Sequence, residues 1–324
     1  MTMNATASPM PDYVQPLPNG IVAIDTGFLR PGFDAAYLIV ERGRAAFVDT
    51  GTNFAVPRLL AALGAAGLQP VDVDWLIVTH VHLDHAGGAG LLMQSLPNAR
   101  LVVHARGARH MIDPSALFAG ARAVYGDAEM ARSYGALVPV PADRVVATHD
   151  GLSLDLAGRP LQFLDTPGHA RHHHAVWDAS SRGFFTGDTF GLSYREFDVA
   201  GRPWLTPTAT PVQFEPEPLK ASVRRLLGFA PECMHLTHFG RVADVARLGG
   251  QMLEHIDALV ALARQCAGSG EQRHALLREL LGGFYLDRLA AHGCRLGEAS
   301  VLDLLDMDIE LNAQGLAIWL DRGG

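Results

Sequence analysis

Three imidazoles and a carboxylate fall within six residues, His80-Val81-His82-Leu83-Asp84-His85, directly after the apolar run Trp75–Thr79. In water such a stretch would be a polar loop. At the end of a buried strand it is a ligand cluster, because neutral imidazole and carboxylate are what borderline divalent cations take. Three later segments end apolar runs in the same way: Thr166-Pro167-Gly168-His169, Thr186-Gly187-Asp188 and Thr237-His238-Phe239-Gly240. Strands of one sheet present their ends side by side, so these residues can converge. His80, His82, His85, His169 and His238 with Asp84 and Asp188 suffice for two divalent cations of three or four protein ligands each, sharing a water-derived oxygen. Asp84 would both ligate and lie close enough to that nucleophile to orient it or handle its proton.

The pattern around these segments predicts alternating strands and helices. Strand-like runs Gly20–Ile24, Ala36–Val40 and Ala45–Val48 precede Asp49-Thr50-Gly51, where a short acid leaves a strand at a glycine turn. Asp49 is expected to fix that turn or hold a ligand histidine, the alternative being a distal ligand. A helix is expected over Val56–Gly67, a strand over Val71–Thr79, a helix from about Gly90 to Ser95, a strand over Arg100–His104 and a helix from Ala105 to Ile112. Asp113–Val140, with Tyr125 and Tyr134, reads as a helical cover over the site. Short strands follow between Arg144 and Phe185, then a proline-rich loop over 190–218. That loop, with Tyr194, Arg195, Trp204 and Phe214, is expected to set specificity. Leu219–Leu227 reads as helix, Cys233–Thr237 as a last strand, and everything after about Asp244 as helix. Residues 1–18, with Pro9, Pro11, Pro16 and Pro18, read as an irregular arm.

The remaining histidines divide by position. His104, His110, His149, His255, His274 and His292 are expected to be surface or satisfied core residues. His235 lies inside the last strand whereas His238 ends it, so His238 is taken as the ligand.

Composition narrows the class. With 324 residues, 48% apolar and 19% charged, the chain is an ordered globular protein. Its formal charge of −8, from 26 basic and 34 acidic residues, argues against a nucleic-acid binder. Cys233, Cys266 and Cys294 form no CxxC pair and fit a reducing compartment. Neither a signal peptide nor a bilayer-spanning run is evident, so a cytoplasmic, soluble protein with a small-molecule substrate and no membrane partner is expected.

The HxHxDH loop, followed in order by PGH, GD and a late histidine over about residues 19–245, resembles the metallo-β-lactamase superfamily, with a glyoxalase II- or lactonase-like core. The resemblance implies an αββα sandwich of two mixed sheets with helices outside and the site along one edge. Residues 1–18 would be an arm, 19–245 the metallo-β-lactamase-like domain and 246–324 a helical extension packed on the core or at a homodimer interface. Carried over, His80, His82 and His169 would hold one metal and Asp84, His85 and His238 the other, with Asp188 bridging. The ions would be two zinc ions, with iron or manganese as alternatives. Family members often carry small or hydroxyl residues where this chain has His172, His173 and His174. These are expected to line the pocket or support the metal shell, unless they are merely an alternating strand face. The implied reaction is attack by a metal-bridging hydroxide on a small ester, thioester or lactone. No nucleic-acid-processing insertion is recognisable, and the missing signal peptide disfavours an antibiotic-hydrolysing role. The alternatives are a non-haem iron oxidoreductase using oxygen or persulfide, and a low-turnover binding or signalling protein.

Overall fold

The computed structural model describes residues 10–266 and 268–324. Its first sheet runs in chain order: β1 (Val14–Leu17), β2 (Ile21–Asp25), β3 (Ala35–Glu41), β4 (Arg44–Val48), β5 (Val73–Ile77), β6 (Arg100–His104) and β7 (Val145–Thr148). The first four are antiparallel: short turns join β1 to β2 and β3 to β4, and residues 26–34 loop from β2 to β3. From β4 to β7 the pairing is parallel, since helices carry the chain back each time. These are α1 (Val56–Ala65), then the short α2 (Leu83–Ala86) with α3 (Ala89–Ser95), then α4 (Ala105–Ile112) with α5 (Ser115–Glu129).

The second sheet contains β8 (Ser153–Leu156), β9 (Arg159–Asp165), β10 (His174–Asp178), β11 (Gly183–Gly187), β12 (Cys233–Leu236) and β13 (Gly240–Val242), again in chain order across the sheet. Its one parallel pair, β11 with β12, is the one whose connection includes a helix, α6 (Pro216–Leu227). Four helices end the chain: α7 (Val245–Arg264), α8 (Gly270–His292), α9 (Glu298–Leu304) and α10 (Asp306–Asp321).

Alternation along the strands builds the layers. Tyr37, Ile39, Ile77, Val102, Phe163, Val176 and Phe185 fill the space between the sheets. Their neighbours Leu38, Leu76, Leu101 and Val103 face the other way, onto Leu59 and Leu63 of α1 and Leu92 of α3. On the far side of the second sheet, Ala175, Phe184, Met234 and Leu236 meet Leu219 and Val223 of α6 and Leu248, Met252 and Ile256 of α7. The result is the αββα sandwich, and α8 and α10 join the same outer core through Leu281, Tyr285, Ile309 and Leu316.

Two expectations need correction. Residues 14–17 are a strand, not part of an irregular arm: Val14 pairs with Ile24 and Pro16 with Val22. Pro16 is tolerated because β1 is an edge strand, where a missing backbone donor can face outward. Residues 1–9 of the expected arm lie outside the described residues. The 190–218 loop is largely interior: Phe190, Leu192, Tyr194, Phe197, Trp204 and Phe214 are all buried. Its aromatic side chains fill the space between the second sheet and the C-terminal helices, so most of the loop faces core.

Candidate metal centre

The seven residues arrive at one edge of the sandwich, each just beyond a strand. After β5 the chain passes through Val78 and Thr79, held by Val78 N–H to Val102 O and His174 N–H to Thr79 O, both 3.0 Å. His82 precedes α2, so Asp84 and His85 lie in its single turn. Asp49, just past β4, takes a left-handed conformation (φ 57°), one that Asp tolerates better than most residues. Its carboxylate accepts Thr79 N–H (2.8 Å) and the hydroxyls of Thr79 (2.9 Å) and Thr237 (2.9 Å). It also meets His85 Nδ1 at 2.8 Å, which turns His85 Nε2 toward the site. His238 is set the same way, with Nδ1 donating to Phe33 O at 2.9 Å.

His169 follows Gly168, whose φ of +129° belongs to glycine. A Cβ there would stand 2.2 Å from the backbone nitrogen of Leu219, so the PGH turn owes its glycine to the approach of α6. Asp188 follows β11, and its N–H donates to His173 Nε2 at 3.2 Å.

These side chains form two adjoining groups, each able to hold a metal ion: His80, His82, His169 and Asp188, and Asp84, His85 and His238. In the first, His82 Nδ1 lies 2.8 Å from His80 Nε2 and 3.1 Å from His169 Nε2. In the second, Asp84 Oδ2 lies 3.4 Å from His238 Nε2 and 3.7 Å from His85 Nε2. Asp188 reaches both, with Oδ2 3.4 Å from His169 Nε2 and Oδ1 3.2 Å from His85 Nε2 and 3.7 Å from His238 Nε2.

Electrostatics separate the two groups. Burial drives His80 well below the ordinary imidazole value, and His85 and His82 add to the effect. Burial and then His169 hold His82 at about 3, and burial also lowers His169. All three rings are therefore neutral, the form that ligates. Burial alone would lower His85 and His238 too. Asp188 and Asp84 outweigh it, raising His85 well above its ordinary value and His238 to about 9. Burial conversely pushes Asp84 up, but His85 and His238 hold it at about 2. Fully buried His85 Nε2 and Asp188 Oδ1 face each other without forming a hydrogen bond. Converging imidazole lone pairs and orphaned buried polar atoms are what a bound cation would satisfy. The donor set fits divalent ions.

A family model described as the metallo-beta-lactamase superfamily matches residues 29–238. The chain belongs to this superfamily. Among its relatives, the metallo-beta-lactamase fold-containing protein ST1585 of Sulfurisphaera tokodaii is 27% identical over 53% of this chain and 62% of its own length. Hydroxyacylglutathione hydrolase of Acidiphilium cryptum is 28% identical over 79% of this chain and 83% of its own. The match thus spans less than two thirds of ST1585's sequence. Among solved structures, metallo-beta-lactamase family protein TTHA1429 from Thermus thermophilus superposes with a TM-score of 0.66 at 22% identity, covering 95% of both chains. The ST1585 crystal structure gives 0.62 at 21% identity, covering 93% of this chain and 99% of that one. At these identities the likeness shows the metallo-β-lactamase fold.

The neighbouring histidines separate cleanly. His235 points between the sheets, stacked on Phe185 (ring centroids 4.7 Å, 21°) and away from the metal groups. His173 positions Asp188 and meets Thr166 Oγ at 2.8 Å. His174 turns to Thr148 Oγ (2.8 Å), and His172 lines the cavity above His82. That cavity, of about 370 Å³, has His82, Asp84 and Asp188 among its lining. From the 190–218 loop only Thr210 to Gln213 reach it; Tyr194, Arg195, Trp204 and Phe214 do not. Thr79 and Thr237 are partners of Asp49 that the sequence does not mark, because a hydroxyl beside a ligand carries no signal of its own. The apolar face of α5 is marked in the sequence only by the helical spacing of Leu117, Ala121 and Val124.

Proposed function

We propose that the protein is a metal-dependent hydrolase with a two-ion centre, acting on a small ester, thioester or lactone. The observation carrying this reading is the Asp188 carboxylate, whose oxygens turn to different groups, Oδ2 to His169 and Oδ1 to His85 and His238. A carboxylate so placed suits a bridge, with His80, His82 and His169 holding one ion and Asp84, His85 and His238 the other. Zinc is the first choice for this nitrogen and oxygen set; iron and manganese suit it as well. When bound, two such ions supply Lewis acidity and lower the pKa of a water toward neutrality.

The chain's own residues do the rest. Asp84, on the cavity floor and ionised at neutral pH, orients the attacking water through the oxygen not turned to the histidines and accepts its proton. Asp49 and Phe33 O hold His85 and His238 in the tautomer that leaves Nε2 free. Relatives named hydroxyacylglutathione hydrolase support cleavage of an acyl bond as the reaction type. The acidic net charge supports a small molecule, not a nucleic acid, as substrate.

Metal analysis of protein purified without added metal, with a panel of thioester, lactone and phosphodiester substrates, tests this. Two equivalents per chain and turnover of an acyl substrate are expected, and His82→Ala and Asp188→Ala should each strip metal. The reading is lost if the loaded protein hydrolyses none of the panel yet reduces oxygen or oxidises a persulfide. The ligand set is wrong if His235→Ala strips metal and His238→Ala does not.

A further inference from the structure

The cavity over the metal groups has a chemistry of its own. Leu117, Gly120, Ala121 and Val124 recur at i, i+3, i+4 and i+7 on α5 and line it together. Val212 and Leu311 complete an apolar wall, from the segment before α6 and from α10. Val124 and Val212 are 48% and 53% exposed, so the apolar lining continues out to solvent. No lysine or arginine is among the described residues that line the cavity. Its volume of about 370 Å³ lies in the range usual for small-molecule sites.

We propose that this cavity is an acyl-chain pocket, in which an apolar chain lies along α5 and delivers its carbonyl carbon to Asp84 and Asp188. The inference rests on the hydrolase reading and names its substrate class: esters or thioesters of medium-length apolar acids. Water adds across the acyl C–O or C–S bond, the hydroxyl going to the acyl carbon and the proton to the departing alcohol or thiol. A glutathione conjugate carries two carboxylates, which would find no cationic side chain on these walls. An alkyl chain needs none, and its burial is favoured at every methylene.

S-acyl-N-acetylcysteamine thioesters from acetyl to decanoyl, with S-lactoylglutathione as comparator, test this on the metal-loaded protein. kcat/KM is expected to rise about fourfold per methylene until the chamber is full, and to exceed that for S-lactoylglutathione. Gly120→Leu is the diagnostic variant. A Cβ at Gly120 meets nothing within 4 Å, so the side chain can enter the chamber without forcing the helix. It should lower the octanoyl-to-acetyl ratio of kcat/KM by about tenfold or more, with metal content unchanged. Calorimetry with the thioethers S-octyl- and S-ethyl-N-acetylcysteamine reads the pocket without turnover; the octyl compound should bind more tightly, and Gly120→Leu should remove the difference. A flat chain-length series, a preference for S-lactoylglutathione or an unchanged ratio in Gly120→Leu overturns the pocket and leaves the hydrolase standing. If no thioester of any length is hydrolysed, and no ester, lactone or phosphodiester of the earlier panel either, the hydrolase reading falls. Thioether binding then decides alone, chain-dependent binding keeping the pocket and equal binding removing it.

Discussion

Asp49 touches no substrate, yet it ties Thr79 and His85 of the first ligand loop to Thr237, far along the chain. All of its partners donate, which suits a carboxylate and no neutral isostere. Asp49→Asn puts an NH₂ group against at least one of those donors and releases His85 from its tautomer. Metal affinity is expected to fall about 10–100-fold, measured by competition with a graded chelator. Asp308 is a different buried acid. Burial lifts its carboxyl to about 7, against the pull of His238 and a hydrogen bond from Tyr194 at 3.1 Å. Between about pH 4 and 7 the folded chain holds a proton that the unfolded chain has released, so stability falls as pH rises through that window. Asp308→Asn should raise Tm by a few degrees at pH 8 and leave it nearly unchanged at pH 4, which thermal melts at both values would check.

At the scale of elements, the turn before His169 is where backbone and site are most tightly joined. Gly168→Ala would drive a methyl group into the backbone of α6 and move His169 with it. A loss of stability of about 2 kcal/mol or more is expected, together with reduced metal content, by denaturant unfolding and metal analysis of the same preparation. Strands and ligand loops were legible because period-two apolar runs and the short motifs at their ends are local signals. The placing of the 190–218 loop was not. Its prolines mark an irregular chain, but whether Tyr194 and Trp204 face solvent or core depends on the C-terminal helices packing over them. The three consecutive histidines were opaque for a related reason. His172, His173 and His174 face the cavity, the Asp188 turn and Thr148 respectively, and only the neighbouring strands determine which does which.

Across the whole molecule, the donors come from residues 80 to 238, and the outer core that backs them closes only at Leu316. A polypeptide made from its N-terminus therefore exposes His80, His82 and His85 long before Asp188 and His238 exist. Nascent imidazoles spaced this closely are themselves a trap for a stray cation, and binding to the unfolded chain holds it there. Refolding of denatured protein in excess zinc should accordingly be slower than refolding first and adding zinc afterwards, followed by tryptophan fluorescence. Equal rates would show that the early histidines hold nothing by themselves. Slower refolding in zinc would make the timing of metal delivery, and not only its supply, a condition for a correctly charged protein.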